Sequence, residues 1–240
     1  DYSQFWQDRD YISQAGNIKA ATFIIHGQSD WNVKQKHATE LWKALGSTPK
    51  RMFLHRGGHG STFSHKVPRK IQDWYDHFLE GVENGITDGP QVEVELEDRT
   101  LIVQNEWPSE NTHEESFYFS NSKLSSFAPL NKSLVKITDS GRDNKITTQI
   151  KDPTKKKNGR VIFLGNKLNK DTLFSGTPKV SLNLSILNRK AANITVVIVE
   201  YTKNGKAKVI TRGWADPQNY RDLEIGEKLI PGKTYQMKFD

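Results

Sequence analysis

Residues Ala20 to Val33, Ala-Ala-Thr-Phe-Ile-Ile-His-Gly-Gln-Ser-Asp-Trp-Asn-Val, decide how the chain folds. The apolar run from Ala20 to Ile25 has no polar alternation and is bounded by Gly27, the pattern of a strand covered on both faces. Working outward, Ala38, Leu41, Trp42 and Leu45 recur at helical spacing and predict a helix over Gln35 to Leu45, closed by Gly46. Met52, Phe53 and Leu54 predict the next buried strand, which empties into Arg56-Gly57-Gly58-His59-Gly60. Pro68 suits the first turn of a second helix, with Ile71, Trp74, Tyr75, Phe78, Leu79 and Val82 expected to face inward. Strand, helix, strand, helix with short links is parallel α/β architecture.

Each of the two strands delivers a candidate catalytic group. Asp30 follows the first, and a carboxylate there can hold an imidazole in one tautomer and stabilise its protonated form. His59 follows the second, in a glycine-rich loop that leaves the ring room to act as general base and then general acid. An acid and then a histidine past successive strands resembles the α/β-hydrolases, whose triad runs serine, acid, histidine along the chain. The serine has no convincing candidate here. Ser29 lacks the closing glycine of a Gly-x-Ser-x-Gly elbow and directly precedes the candidate acid, and Ser61 shares the loop of His59. The nucleophile is therefore expected upstream of Asp1. A metal reading of His26, His55, His59 and His65 fails on spacing, because Gly57 and Gly58 break any helix that would align His55 with His59.

Beyond Gly85 to Pro90 the pattern changes. Val92, Val94 and Leu96 alternate with Glu93, Glu95 and Glu97, as in a half-buried strand. Strand candidates follow at Leu101 to Val103, Phe117 to Phe119, Leu134 to Ile137, Lys145 to Ile150, Val161 to Leu164, Val180 to Leu187, Ile194 to Tyr201, Lys206 to Thr211 and Tyr235 to Phe239. Asn204-Gly205 predicts a two-residue hairpin turn between two of them. Many strands at short spacing predict an antiparallel sandwich or jelly roll. The expected division is 1–86 for the α/β part and 87–240 for the β part.

Composition narrows the function classes. The 240 residues include no cysteine, which excludes disulfides and thiolate chemistry and fits a reducing, cytoplasmic compartment. The net charge of +7 is spread, with 11 basic and 9 acidic residues up to Gly85 and 24 and 19 after it. The one dense basic run, Lys155-Lys156-Lys157, lies among Pro, Asn and Gly and reads as a solvated loop, not a nucleic-acid site. No apolar run reaches the ~18 residues of a membrane span. Neither nucleic acid nor membrane is expected as a partner.

Taken together, His26-Gly27-Gln28-Ser29-Asp30-Trp31-Asn32-Val33 and Gly58-His59-Gly60 resemble the Xaa-Pro dipeptidyl-peptidases of lactic acid bacteria, serine peptidases. Arg160 to Leu164, Leu173 to Val180 and Arg212 to Asn219 resemble the galactose-binding-like jelly roll that closes the chain in that family. The resemblance implies the C-terminal portion of an α/β-hydrolase domain followed by a jelly-roll β-sandwich. It implies Asp30 and His59 as triad acid and base, Asn32 as donor to a substrate carbonyl, and Val33 with Trp31 as walls of a proline pocket. It implies proline-containing peptides as substrates and no metal or organic cofactor; the sequence does not reveal the oligomeric state, and a homodimer is one assembly open to it. Prolyl oligopeptidases share the Asp-x-Asn-Val pattern, but their chains end soon after the histidine. Cocaine-esterase and amino-acid-ester-hydrolase relatives carry the trailing jelly roll, and an ester or acyl-amide hydrolase is the alternative reading. An isolated carbohydrate-binding module, with Trp107, Tyr118, Trp214 and Tyr220 as stacking surfaces, is another.

Overall fold

A computed structural model of the chain describes residues 3–60, 67–131, 133–139, 141 and 145–240. The chain forms two compact units, one of residues 2–112 with 175–177 and one of 113–174 with 178–240.

The first unit is built on a four-stranded sheet in the order β1 (Thr22–Gly27), β2 (Lys50–His55), β3 (Val92–Glu95) and β4 (Leu101–Gln104). β1 and β2 pair in parallel with Ile24 opposite Met52, and β2 and β3 pair in parallel with Leu54 opposite Val94. Besides the short α1 (Gln4–Gln7) and a 3-10 helix at Ile12–Asn17, the described residues of the unit form two longer helices, α2 (Gln35–Ala44) and α3 (Val67–Glu80). α2 lays Ala38 and Trp42 on the core formed by Ile24, Met52, Leu54, Val92 and Trp107. Lys50 finishes this helix, its Nζ donating to the carbonyls of Trp42 and Leu45 at 3.0 and 3.3 Å. Gly46 does not cap α2 in the left-handed conformation; a Cβ there would make a tight contact, 3.1 Å from the Gly16 carbonyl oxygen. α3 turns Trp74 onto Phe23 of β1, with ring centroids 5.4 Å apart. Tyr75, Leu79 and Val82, expected inside, are instead exposed. They fall outside the stripe of Val67, Ile71, Trp74 and Phe78, the i+3/i+4 row that meets the sheet.

β3 departs from its expected place. The Val92 to Leu96 strand, assigned from its alternation to the β domain, extends the parallel sheet beside β2, and β4 closes the edge antiparallel to it. Both faces of β3 are covered, so Glu93 and Glu95 are as buried as Val92. Alternation implies one wet face only where nothing packs on the polar side, and here Arg51, Lys70 and Arg99 meet the acids.

The second unit consists of antiparallel ribbons: β5 (Tyr118–Ser120) with β6 (Lys123–Ser125), β7 (Val180–Ser185) with β10 (Thr234–Phe239), and β8 (Ile194–Tyr201) with β9 (Ala207–Ala215). The chain thus combines an α/β part with a β part. The hairpin at Asn204-Gly205 forms, by a different turn. Thr202 N–H donates to the Lys206 carbonyl and only Gly205 takes positive φ, so the loop is longer than two residues. The two-residue turn with both residues at positive φ occurs at Asn121-Ser122, between β5 and β6. Leu134 to Ile137 forms no ladder, and Lys145 to Ile150 folds as a single helical turn, α4 (Ile146–Gln149). Val161 to Leu164 contributes one isolated bridge, Leu164 to Lys123. Arg160 explains the departure at α4: its guanidinium donates to the carbonyls of Gln149, Lys151, Asp152 and Lys155, curling the chain around a cation where a strand would leave those groups to a neighbour. Lys157 adds bonds to the Thr148 and Lys151 carbonyls, so part of the basic run is spent within its own loop. No helix among the described residues is long and apolar enough to cross a membrane.

Candidate active site

The site is assembled where β1 and β2 end side by side. Gly27, the last residue of β1, lies so close to the next loop that a Cβ on it would sit 2.5 Å from the Gly57 carbonyl oxygen. Three backbone bonds lock the turn that follows: Gln28 N–H to the His55 carbonyl (2.7 Å), Ser29 N–H to that of Gly57 (3.0 Å) and Asp30 N–H to that of Gly27 (3.1 Å). The Asp30 carboxylate is thereby turned inward, where it is 8% exposed. Its Oδ1 accepts the backbone N–H groups of Asn32 and Val33 at 2.9 and 3.0 Å, the local bonding that aspartate favours at the start of a turn. Its Oδ2 accepts Nδ1–H of His59 at 3.0 Å. Burial alone would raise the Asp30 pKa, but the Val33 N–H, the His59 ring and the Asn32 N–H together hold it below its ordinary value.

With Nδ1 donating to a carboxylate, His59 presents Nε2 as a lone pair. Nε2 lies 3.4 Å from Nδ2 of Asn32, and among the described residues Asp30 and Asn32 are the hydrogen-bonding partners of this ring. The ring is 61% exposed, open to a proton donor arriving from outside the sheet. The arrangement can take a proton at Nε2 while the carboxylate steadies the charge at Nδ1, which is the work of a general base.

The structure therefore brings Asp30, Asn32 and His59 together. Trp31 and Val33 lie beside them and are exposed, at 38% and 43%. Ser29 is tied to Gly57 through its backbone and makes no bond to His59. Ser61 and His65 lie outside the described residues. His55 does not join His59 in any metal arrangement; its ring is buried at 2% exposure and its Nδ1 accepts the Gly57 N–H. Among the described residues no group of three or more His, Cys, Asp or Glu is placed to hold a metal ion. Trp107 is buried in the core of the first unit and offers no stacking face, and Tyr220 packs edge-on against Tyr235.

Sequence reasoning missed the groups that hold the histidine loop from below. Glu95, with no exposed surface, accepts the Arg56 N–H at 2.7 Å through Oε2 and pairs with Arg99 at 3.0 Å through Oε1. The Arg56 guanidinium reaches Glu97 at 2.6 Å. Gln28 donates from its amide to the carbonyls of Leu54 and Glu95, joining the ends of β2 and β3. The available signal was the position of Glu95, level with the histidine loop once β3 is recognised as a parallel neighbour of β2.

Residues 84–240 match the family model described as the X-Pro dipeptidyl-peptidase C-terminal non-catalytic domain, and residues 1–61 match that of X-Pro dipeptidyl-peptidase of the S15 family. The chain belongs to the X-Pro dipeptidyl-peptidase family. Within the family it is 36% identical over 247 residues to the "Putative Xaa-Pro dipeptidyl-peptidase" of Bacillus anthracis, covering all of this chain and 41% of that protein. It is 25% identical over 227 residues to the Xaa-Pro dipeptidyl-peptidase of Pediococcus pentosaceus, covering 84% of this chain and 28% of that one. This member of the family thus spans less than half the length of these relatives. In fold it is similar to a CocE/NonD family hydrolase of Staphylococcus aureus, with a TM-score of 0.81 at 15% identity over 99% of this chain and 45% of that one. It is also similar to an α-amino acid ester hydrolase, with a TM-score of 0.73 at 14% identity over 99% of this chain and 48% of that one.

Proposed function

We propose that this chain supplies the acid and base of a serine exopeptidase that releases Xaa-Pro dipeptides from peptide N-termini. The observation that carries the reading is the Asp30–His59 pair, with Nδ1 bound to a buried carboxylate at 3.0 Å and Nε2 left for a hydroxyl. The nucleophilic serine comes from outside residues 1–240, in the full-length protein. As its Oγ bonds to the carbonyl carbon of the substrate proline, the hydroxyl proton passes to His59 Nε2. The C–N bond of the scissile amide then breaks, and the same proton goes to the departing amine. Water repeats the sequence on the acyl-enzyme, with His59 again as base, and frees the dipeptide.

Asn32 has an amide N–H free to turn from His59 to a substrate carbonyl, while Val33 and Trp31 offer exposed apolar surface for a pyrrolidine ring. Our reading gives residues from about 87 onward to a galactose-binding-like jelly roll, with its first two strands, β3 and β4, paired into the sheet that carries Asp30 and His59. The test is hydrolysis of an Ala-Pro chromogenic amide and of the matching ester. The full-length protein is expected to cleave the amide, and Asp30→Asn and His59→Ala to lower kcat by ~10⁴ each with folding retained. Near-normal turnover by His59→Ala would make the assignment wrong. Ester cleavage without amide cleavage would transfer the chain to the ester-hydrolase reading. The 240-residue chain by itself is expected to give no turnover.

A further inference from the structure

The buried imidazole of His55 has no part in the proton transfers above. It closes β2, stacks on Phe53 with ring centroids 6.2 Å apart at 29°, and accepts the Gly57 N–H at Nδ1 over 3.0 Å. An Nδ1 that accepts leaves the proton on Nε2, so the ring works in its neutral form. Gly57 is the peptide unit on which both catalytic loops bear. Its carbonyl accepts Ser29 N–H, one residue before the acid, and fills the space a side chain on Gly27 would need. Two residues further on is His59.

We propose that His55 is a positioning residue for the Asp30–His59 pair, its neutral ring holding Gly57 and through it the spacing between the acid loop and the base loop. A protonated ring would turn a second donor toward the Gly57 N–H and break that contact. The charged and titratable groups facing His55 are Glu95 on β3, His26 on β1 and Asp30 in the acid loop. Burial and His26 oppose the imidazolium, Glu95 and Asp30 favour it, and the balance sets the ring below its ordinary value. Protonation of His55 is then a source of activity loss toward acid.

The proposal rests on the serine-hydrolase reading, so the test separates the two. In the full-length protein, the rate of labelling by a fluorophosphonate reports activation of the serine whatever the preferred substrate. It is followed from about pH 4 to pH 8 beside kcat and KM for the Ala-Pro amide. Asparagine can offer Oδ1 where His55 offers Nδ1, and it does not titrate; leucine has no acceptor. His55→Leu is expected to lower labelling and kcat by ~10–100-fold with KM little changed, the size of effect that follows misplaced catalytic groups. His55→Asn is expected to stay near wild type at pH 8 and to hold its rate further into acid. A folded His55→Leu that labels at the wild-type rate overturns the proposal, as does a His55→Asn profile with the wild-type acid limb. If His55→Leu fails to fold, the His55→Asn profile decides alone. A wild type that labels but leaves the amide intact overturns only the substrate reading, and one that never labels overturns both.

Discussion

At the scale of single residues, the site depends on a side chain that is absent. Gly27 does not need glycine for its dihedrals; it needs it because the Gly57 and Gly58 carbonyl oxygens would lie 2.5 and 3.0 Å from a Cβ. Backbone, not a flexible side-chain tip, would have to retreat. Gly27→Ala should therefore destabilise the protein by ~3 kcal/mol, as overpacking against rigid neighbours does, and should widen the gap between Asp30 and His59. Denaturant unfolding checks the first effect, and the fluorophosphonate rate of the full-length protein checks the second. Equal stability and equal rate would show that the loops can move apart freely. Asp30 and His59 were legible in the sequence because each follows an apolar run and sits among turn residues. The need for Gly27 was not, since a glycine ending a strand reads first as punctuation, and only the distance to Gly57 gives it a cause.

At the scale of elements, β2, β3 and α3 are joined by one buried acid. Glu93 Oε1 accepts from Arg51 of β2 at 2.8 Å, and its carboxylate pairs with Lys70 of α3 at 2.9 Å. Burial would raise the Glu93 pKa, but the bonds from Arg51 and Lys70 more than offset it and leave the carboxylate below its ordinary value. Removing this acid leaves Arg51 without its counter-ion beneath α3. Glu93→Ala is expected to cost ~3–5 kcal/mol, as breaking a buried pair from one side does, whereas Lys70→Met, which leaves Arg51 paired, should cost only about 1 kcal/mol. Unfolding in urea measures both, and similar losses for the two variants would contradict the ranking. The elements themselves divide by how local their cause is. β1, β2, α2 and α3 were readable because apolar periodicity alone specifies them. β3 was read as a strand, but its pairing into the parallel sheet was not legible, because its buried glutamates imitate a solvent face; the cations that meet Glu93 are Arg51 and Lys70, 42 and 23 residues away in sequence, and Glu95 meets Arg99 beyond the strand. The helical turn at Ile146–Gln149 was missed for a similar reason, since the carbonyl of its last residue, Gln149, and those of Lys151, Asp152 and Lys155 after it are gathered by Arg160.

At the scale of the molecule, four groups among the described residues of the first unit make its stability depend on pH in one direction. His55, Glu93, Asp30 and Asp98 all have folded pKa values below their ordinary values of 6.5 for histidine, 4.5 for glutamate and 3.8 for the two aspartates. For each, the unfolded chain takes up its proton first as the solution is acidified, so the unfolded state binds more protons and stability falls with pH. The contribution of His55 is complete above about pH 6.5 and is lost as pH drops through its lowered value, and those of Glu93 and then of Asp30 and Asp98 follow below about pH 4.5 and pH 3.8. Five of the six tryptophans, Trp6, Trp31, Trp42, Trp74 and Trp107, belong to this unit, so tryptophan fluorescence follows its unfolding even if the β unit unfolds separately. The wild-type midpoint should fall in two stages, a shallow one starting near pH 6.5 and a steeper one below about pH 4.5. His55→Asn should remove the first stage and keep the second, and Glu93→Gln should start from a lower midpoint and flatten the second. An unchanged shallow stage in His55→Asn would place its origin in another histidine and separate the acid sensitivity of the fold from the contact at Gly57.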